Sequence, residues 1–103
     1  MAIALHIVNV PDPDSRQRYE SAFVRLDEIG ARHPQGRISH VAWTVGDEFH
    51  VLDVWESQAS FDAFFQTLAP ILEETGMRIA GPPEVGDVVQ ILLPEKEARP
   101  DPA

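Results

Sequence analysis

From Ile38 to Val54 apolar and polar side chains alternate with period two, broken once at Gly46-Asp47-Glu48, which is the pattern of a strand that turns back and pairs with itself. The period then lengthens. Phe61, Phe64, Phe65, Leu68 and Leu72 recur at spacings of three and four and mark one face of a helix expected from about Gln58 to Thr75. Ser57 is placed to accept from the free N–H groups of its first turn, Pro70 removes one hydrogen bond within it, and Gly76 closes it.

Ahead of the hairpin, Ala2 to Val10 is nearly continuously apolar and reads as a strand buried on both faces, stopped by Pro11-Asp12-Pro13. Asp12, Asp14 or Ser15 can cap the helix that follows, whose apolar stripe is Tyr19, Ala22, Phe23, Leu26 and Ile29, with Gly30 near its end. Ala31 to Arg37, containing Pro34-Gln35-Gly36, reads as a loop, and Gly81-Pro82-Pro83 as an extended linker. A last strand is expected from Val85 to Leu93. Glu95 to Ala103, with mixed charges, prolines and no large apolar residue, is expected to be a disordered tail after a domain of residues 1–94.

The order β-α-β-β-α-β predicts an α+β, ferredoxin-like domain: an antiparallel sheet with the first strand between the third and fourth, the second at an edge, and two helices on one face. The strands are apolar on both faces, and two helices cover only one. The other face therefore predicts a partner, and a second copy of the chain joined sheet to sheet supplies it.

Composition narrows the chemistry. At 103 residues and 44% hydrophobic there is material for one core. Cysteine is absent, which removes disulfides, thiolate ligands and cysteine nucleophiles. Eight Lys and Arg against 17 Asp and Glu give a net charge of −9, a surface that repels phosphate backbones and anionic lipid, so neither nucleic-acid nor membrane binding is expected. No apolar run is long enough to span a bilayer and the first ten residues do not read as a signal peptide, so the expected location is cytoplasmic.

If the hairpin loop is even, Ile38, His40, Ala42, Thr44, Phe49, Val51, Asp53 and Trp55 share one face, and Ser39, Val41, Trp43, Val45, His50, Leu52 and Val54 the other. His40 and Asp53 then lie opposite or one step diagonal, the arrangement in which a carboxylate orients a histidine base. The first strand is expected to neighbour the third, bringing His6 towards the same region. A satisfied structural hydrogen bond is the alternative for the pair. His6, His40 and Asp53 span three strands and are not assigned as metal ligands; no cofactor is expected. His33 and His50 read as residues without partners, and Tyr19 as a core residue with its hydroxyl towards solvent.

The junction Val54-Trp55-Glu56-Ser57, followed by Phe61 and Phe64, resembles the strand-to-helix junction of the antibiotic biosynthesis monooxygenase family in the dimeric α+β barrel superfamily, over about residues 3 to 93. The resemblance implies a sheet-to-sheet homodimer. Family members acting on electron-rich aromatics or haem commonly carry an asparagine on the first strand, where this chain has His6, while Asn9 alternates to the other face. The haem-degrading branch has a second tryptophan and a proximal histidine at positions held here by Phe64 and Glu74, so that chemistry is not expected.

Two functions follow as expectations. One is a cofactor-independent monooxygenase, or a related small enzyme, acting on an aromatic, polyketide-like molecule, with His6 or His40 as base, Asp53 as its orienter and Trp43, Trp55, Phe61, Phe64 and Phe65 as walls. The other is a non-catalytic dimeric module that binds a small molecule or serves as an accessory protein. A cavity of a few hundred Å3 between helices and sheet, or its filling by the phenylalanines, separates them.

Overall fold

A computed structural model describes residues 1–94; the tail expected from Glu95 lies outside the described residues. The elements are β1 (Ile3–Val8), α1 (Ser15–Glu28), β2 (Arg37–Val45), β3 (Glu48–Trp55), α2 (Gln58–Thr75) and β4 (Glu84–Asp87). They form a ferredoxin-like α+β domain with one antiparallel sheet in the order β2-β3-β1-β4.

The hairpin turns on Gly46 and Asp47, between the paired residues Val45 and Glu48. Gly46 has φ 59 while Asp47 keeps a negative φ, the combination of a type II′ turn, whose twist matches that of the flanking strands. This even loop fixes the faces: Thr44 opposes Phe49, Ala42 opposes Val51 and His40 directly opposes Asp53. At the far end of β3, Ser57 accepts from the Ser60 N–H at 3.2 Å and starts α2, which ends at Gly76 with φ 79.

The core lies between the sheet and the helices. Ile3, Leu5 and Ile7 of β1 and Phe49, Val51 and Trp55 of β3 project to that side and meet Phe61 of α2 and Met77. Trp55 and Leu5 are fully buried. Trp55 sits edge-on to Phe61, with ring centroids 5.6 Å apart, and 5.5 Å from Phe64. Removing a buried tryptophan of this kind costs about 3–5 kcal/mol.

The opposite face of the sheet is open. Val41 (54% exposed), Val45 (58%), Leu52 and Trp43 stand on it, and among the described residues no element covers them. Two boundaries differ from the pattern-based reading. β2 begins at Arg37, inside the expected loop, and β4 is four residues instead of running to Leu93. Its partner β1 begins at Ile3, opposite Asp87, so the chain leaves the sheet there after one more hydrogen bond, from Val88 N–H to the Ala2 carbonyl. Val89, Leu92 and Leu93 beyond it are exposed.

Candidate functional site

Three elements bring Asp53, His40 and Tyr19 into a line. The His40–Asp53 pairing across the hairpin puts both side chains on the helix-facing side, where α1 presents Tyr19. His40 Nδ1 and Asp53 Oδ1 are 2.5 Å apart, and the Tyr19 hydroxyl is 2.7 Å from His40 Nε2. A carboxylate only accepts, so Nδ1 carries the proton towards Asp53, and in the neutral ring Nε2 accepts the hydrogen bond that the Tyr19 hydroxyl donates. The second oxygen of Asp53 accepts from Trp55 Nε1–H at 3.2 Å. The buried Asp53 is thereby held at both oxygens, and His40 is held at both nitrogens.

Burial pushes the Tyr19 phenol above its ordinary pKa; the positive charge of Arg37 opposes that shift and the negative charge of Asp53 adds to it. The phenol therefore stays protonated through the physiological range and can donate to His40. Its ring stacks on Phe49, centroids 4.5 Å apart, which fixes the direction of the hydroxyl.

The line of three opens on a cavity of about 70 Å3 bounded by α1, α2 and the sheet, whose walls include Tyr19, Phe23, Arg37, His40, Phe61 and Phe64. A void of roughly 150 Å3 holds one benzene. This cavity takes a few waters in the conformation described, and a ring enters only as the aromatic walls move. Phe61 is buried in the core between helices and sheet, with Phe64 and Phe65 packed against it.

The predicted site residues separate accordingly. His40 and Asp53 meet, and Phe61 and Phe64 are walls of the cavity beside them. Trp55 is not a wall; it lies in the core and holds Asp53 from behind. Phe65 packs on Phe61, with centroids 5.6 Å apart, and faces away from the cavity, towards the groove beside Met77 and Arg78.

His6 does not reach His40. It opposes Leu52 across the β1–β3 ladder, whereas Leu5 opposes Asp53, so alternation sends His6 to the open face. There its Nε2 lies 3.1 Å from His50 Nδ1, and Trp43 stacks on both rings at 5.7 and 5.1 Å. Trp43 is thus a residue of the open face, and His50, read as unpartnered, has His6 on one side and Glu48 on the other, at 3.2 Å. Among the described residues no three histidine, aspartate or glutamate side chains converge as metal ligands. Tyr19 was missed as a site residue because its place on the apolar stripe of α1 reads equally as core; Asn9, buried and bonded to the Phe49 carbonyl, is a further wall of the cavity.

No family model and no curated protein matches the sequence. Solved structures do. SnoaB of Streptomyces nogalater, a cofactor-independent oxygenase seen as a mutant, superposes with a TM-score of 0.63 at 16% identity, over 88% of this chain and 96% of that one. The chain has an antibiotic biosynthesis monooxygenase-like fold. A Chloroflexus aurantiacus protein provisionally assigned as an antibiotic biosynthesis monooxygenase shares this fold at TM-score 0.59 and 19% identity, over 92% and 98% of the two chains. So does a Nitrosomonas europaea protein of unknown function, at TM-score 0.64 and 18% identity, over 91% and 95%. At these identities the likeness is one of fold.

Proposed function

We propose that the protein is a small cofactor-independent oxygenase that removes a proton from a hydroxylated aromatic or enolic molecule through the Tyr19–His40–Asp53 line. The observation that carries this reading is the placement of His40 Nε2, 2.7 Å from a half-buried phenol at the edge of an apolar cavity, with Asp53 fixing the ring from the other side. Asp53 keeps Nε2 as the accepting nitrogen and supports the charge the ring acquires. The substrate O–H bond breaks, its proton passes to Nε2 directly or through the Tyr19 hydroxyl, and the electron pair stays on the substrate as an anion. That anion supplies the electrons and dioxygen is the oxidant, so the protein's task is to form the anion in a site closed to water. The fold shared with SnoaB agrees with this chemistry.

The second copy of the chain is part of the same reading. Val41, Val45, Leu52 and Trp43 form an apolar surface on the open face, and the same face of another copy is its natural cover.

The test is oxygen uptake with a panel of phenols and hydroquinones, for the wild-type protein and His40→Gln. Uptake that falls at least about a hundredfold in the variant supports the proposal. Uptake unaffected by His40→Gln, or none with any compound of the panel, overturns it. The cavity of about 70 Å3 favours a second reading, a non-catalytic module whose phenylalanines simply complete the core, and absence of uptake with a full-strength Tyr19–His40 contact is its expected result.

A further inference from the structure

Arg37 reaches the cavity through an irregularity in β2. Counting back from His40 by simple alternation sends position 37 to the open face. The observed register pairs Ser39 with Val54 and Arg37 with Trp55, leaving Ile38 as the extra residue of a β-bulge. Trp55 belongs to the helix-facing side, and so does Arg37. Re-aiming one side chain in this way is what a bulge does.

The result is a half-buried arginine at an apolar cavity with no counter-ion among the described residues. Arg37 Nη2 donates to the Arg32 carbonyl at 2.9 Å, and among the described residues no carboxylate lies within ion-pair distance of it. Asp53, the carboxylate on the same face, is committed to His40 and Trp55. Arg32 stands nearby with its guanidinium 5.2 Å over the Phe23 ring, so two of the eight basic residues in a chain of net charge −9 are walls of one cavity. Arg37 is half-buried with its Nη2 end still open to solvent, so an anion placed against it forms a charge-assisted pair without first having to break another ion pair. Arg37 is also close enough to Tyr19 for its charge to act on the phenol.

We propose that Arg37 anchors an anionic group of the substrate, so that the site takes a hydroxylated aromatic or enolic acid whose carboxylate pairs with the guanidinium while its hydroxyl faces Tyr19 and His40. The inference rests on the reading of that line as the proton acceptor. The planar fork of arginine matches a carboxylate in two parallel hydrogen bonds, a geometry that lysine does not supply.

The experiment compares binding of 4-hydroxybenzoate and of its neutral isostere 4-hydroxybenzamide, by calorimetry at neutral pH, to the wild type, Arg37→Gln and Arg37→Lys. The acid is expected to bind the wild type at least about tenfold more tightly than the amide. Arg37→Gln removes the difference while leaving the affinity for the amide as it was, which also shows that the variant is folded. Where Arg37→Gln fails to fold, Arg37→Lys carries the test and must weaken the acid more than the amide. Equal affinities in the wild type, no binding of the acid, or a preference for the acid that survives both substitutions overturns the proposal. Binding is read without turnover, so this result and the dependence of oxygen uptake on His40 stand or fall separately.

Discussion

The hydroxyl of Tyr19 lies 2.7 Å from Nε2 of His40, a contact between the second turn of α1 and the middle of β2 across 21 residues of chain. It occupies the nitrogen that a substrate hydroxyl must reach. In the proposed reaction Tyr19 is therefore either the carrier of the proton or a group that has to be displaced. The two roles differ in what Tyr19→Phe does.

Phenylalanine keeps the ring stacked on Phe49 and removes only the oxygen. The expected loss of stability is about 0.5–1.5 kcal/mol, that of one hydrogen bond. As carrier, Tyr19 contributes to proton transfer, and the variant is expected to lose about a hundredfold in oxygen uptake while its melting temperature falls by only several degrees, far too little to unfold it at assay temperature. Uptake equal to or above that of the wild type assigns Tyr19 as a displaced group, with His40 accepting the proton directly.

Tyr19 is the single tyrosine of the chain, so phenolate absorbance reads it without interference. Its pKa is raised, first by burial and further by the charge of Asp53, with Arg37 pulling the other way. The folded state thus binds this proton more tightly than the unfolded chain, whose phenol titrates near 10.0. The stabilisation from the neutral phenol is complete below that value and is lost as pH rises through the higher folded value. The expected titration midpoint in the native protein lies above 10.0, returns to it in denaturant, and moves further up in Arg37→Gln. A native midpoint at or below that of the unfolded chain contradicts the half-buried position of the hydroxyl.

How far the sequence carried can be read from these same residues. Ferredoxin-like order follows from local signals, a period of two and one break at glycine, whereas the His40–Asp53 pairing was legible only on condition of an even hairpin loop, whose two-residue length the structure supplies. Tyr19 was not legible, because a residue on an apolar helical stripe shows which way it faces and not which strand residue it meets. His6 was misplaced for a related reason. Alternation within β1 sorts its residues into two sets, but the register against β3, which decides which set joins Asp53, is set by tertiary packing. Arg37 escaped because it reads as the last residue of the Pro34-Gln35-Gly36 loop, and even as a strand residue it would have been sent to the wrong face by the bulge at Ile38.

The open face gives a third prediction. Val41 and Val45 lie on β2, the edge strand, exposed and apolar, and Trp43 between them is itself 37% exposed. With a second copy covering this face, Val41→Asp buries an unpaired carboxylate in each half of the interface and is expected to yield monomers by sedimentation, with Trp43 emission shifted to the red. In a monomeric protein the same substitution is a surface change within about 0.5 kcal/mol and leaves both observables unaltered.

Gly36 ties the start of β2 to the first turn of α2 and so sets where Arg37 begins. Its φ is 90, a conformation that glycine adopts freely and other residues do not. A Cβ built there would sit 2.5 Å from Ser60 Oγ and 2.6 Å from Ser60 Cβ, in the turn capped by Ser57, while the Gly36 carbonyl accepts from the Glu56 N–H at 2.8 Å. Gly36→Ala is therefore opposed twice, by backbone strain and by a steric clash, and is expected to cost about 1–3 kcal/mol for the strain alone, with the clash in addition. Pairing it with Ser60→Gly removes the clash but leaves the strain, so the double variant should recover part of the loss in chemical denaturation. Full recovery assigns the whole cost to Ser60, and none assigns it to the backbone. In either case weaker binding of 4-hydroxybenzoate by the folded single variant is the expected sign that the aim of Arg37 depends on this close approach.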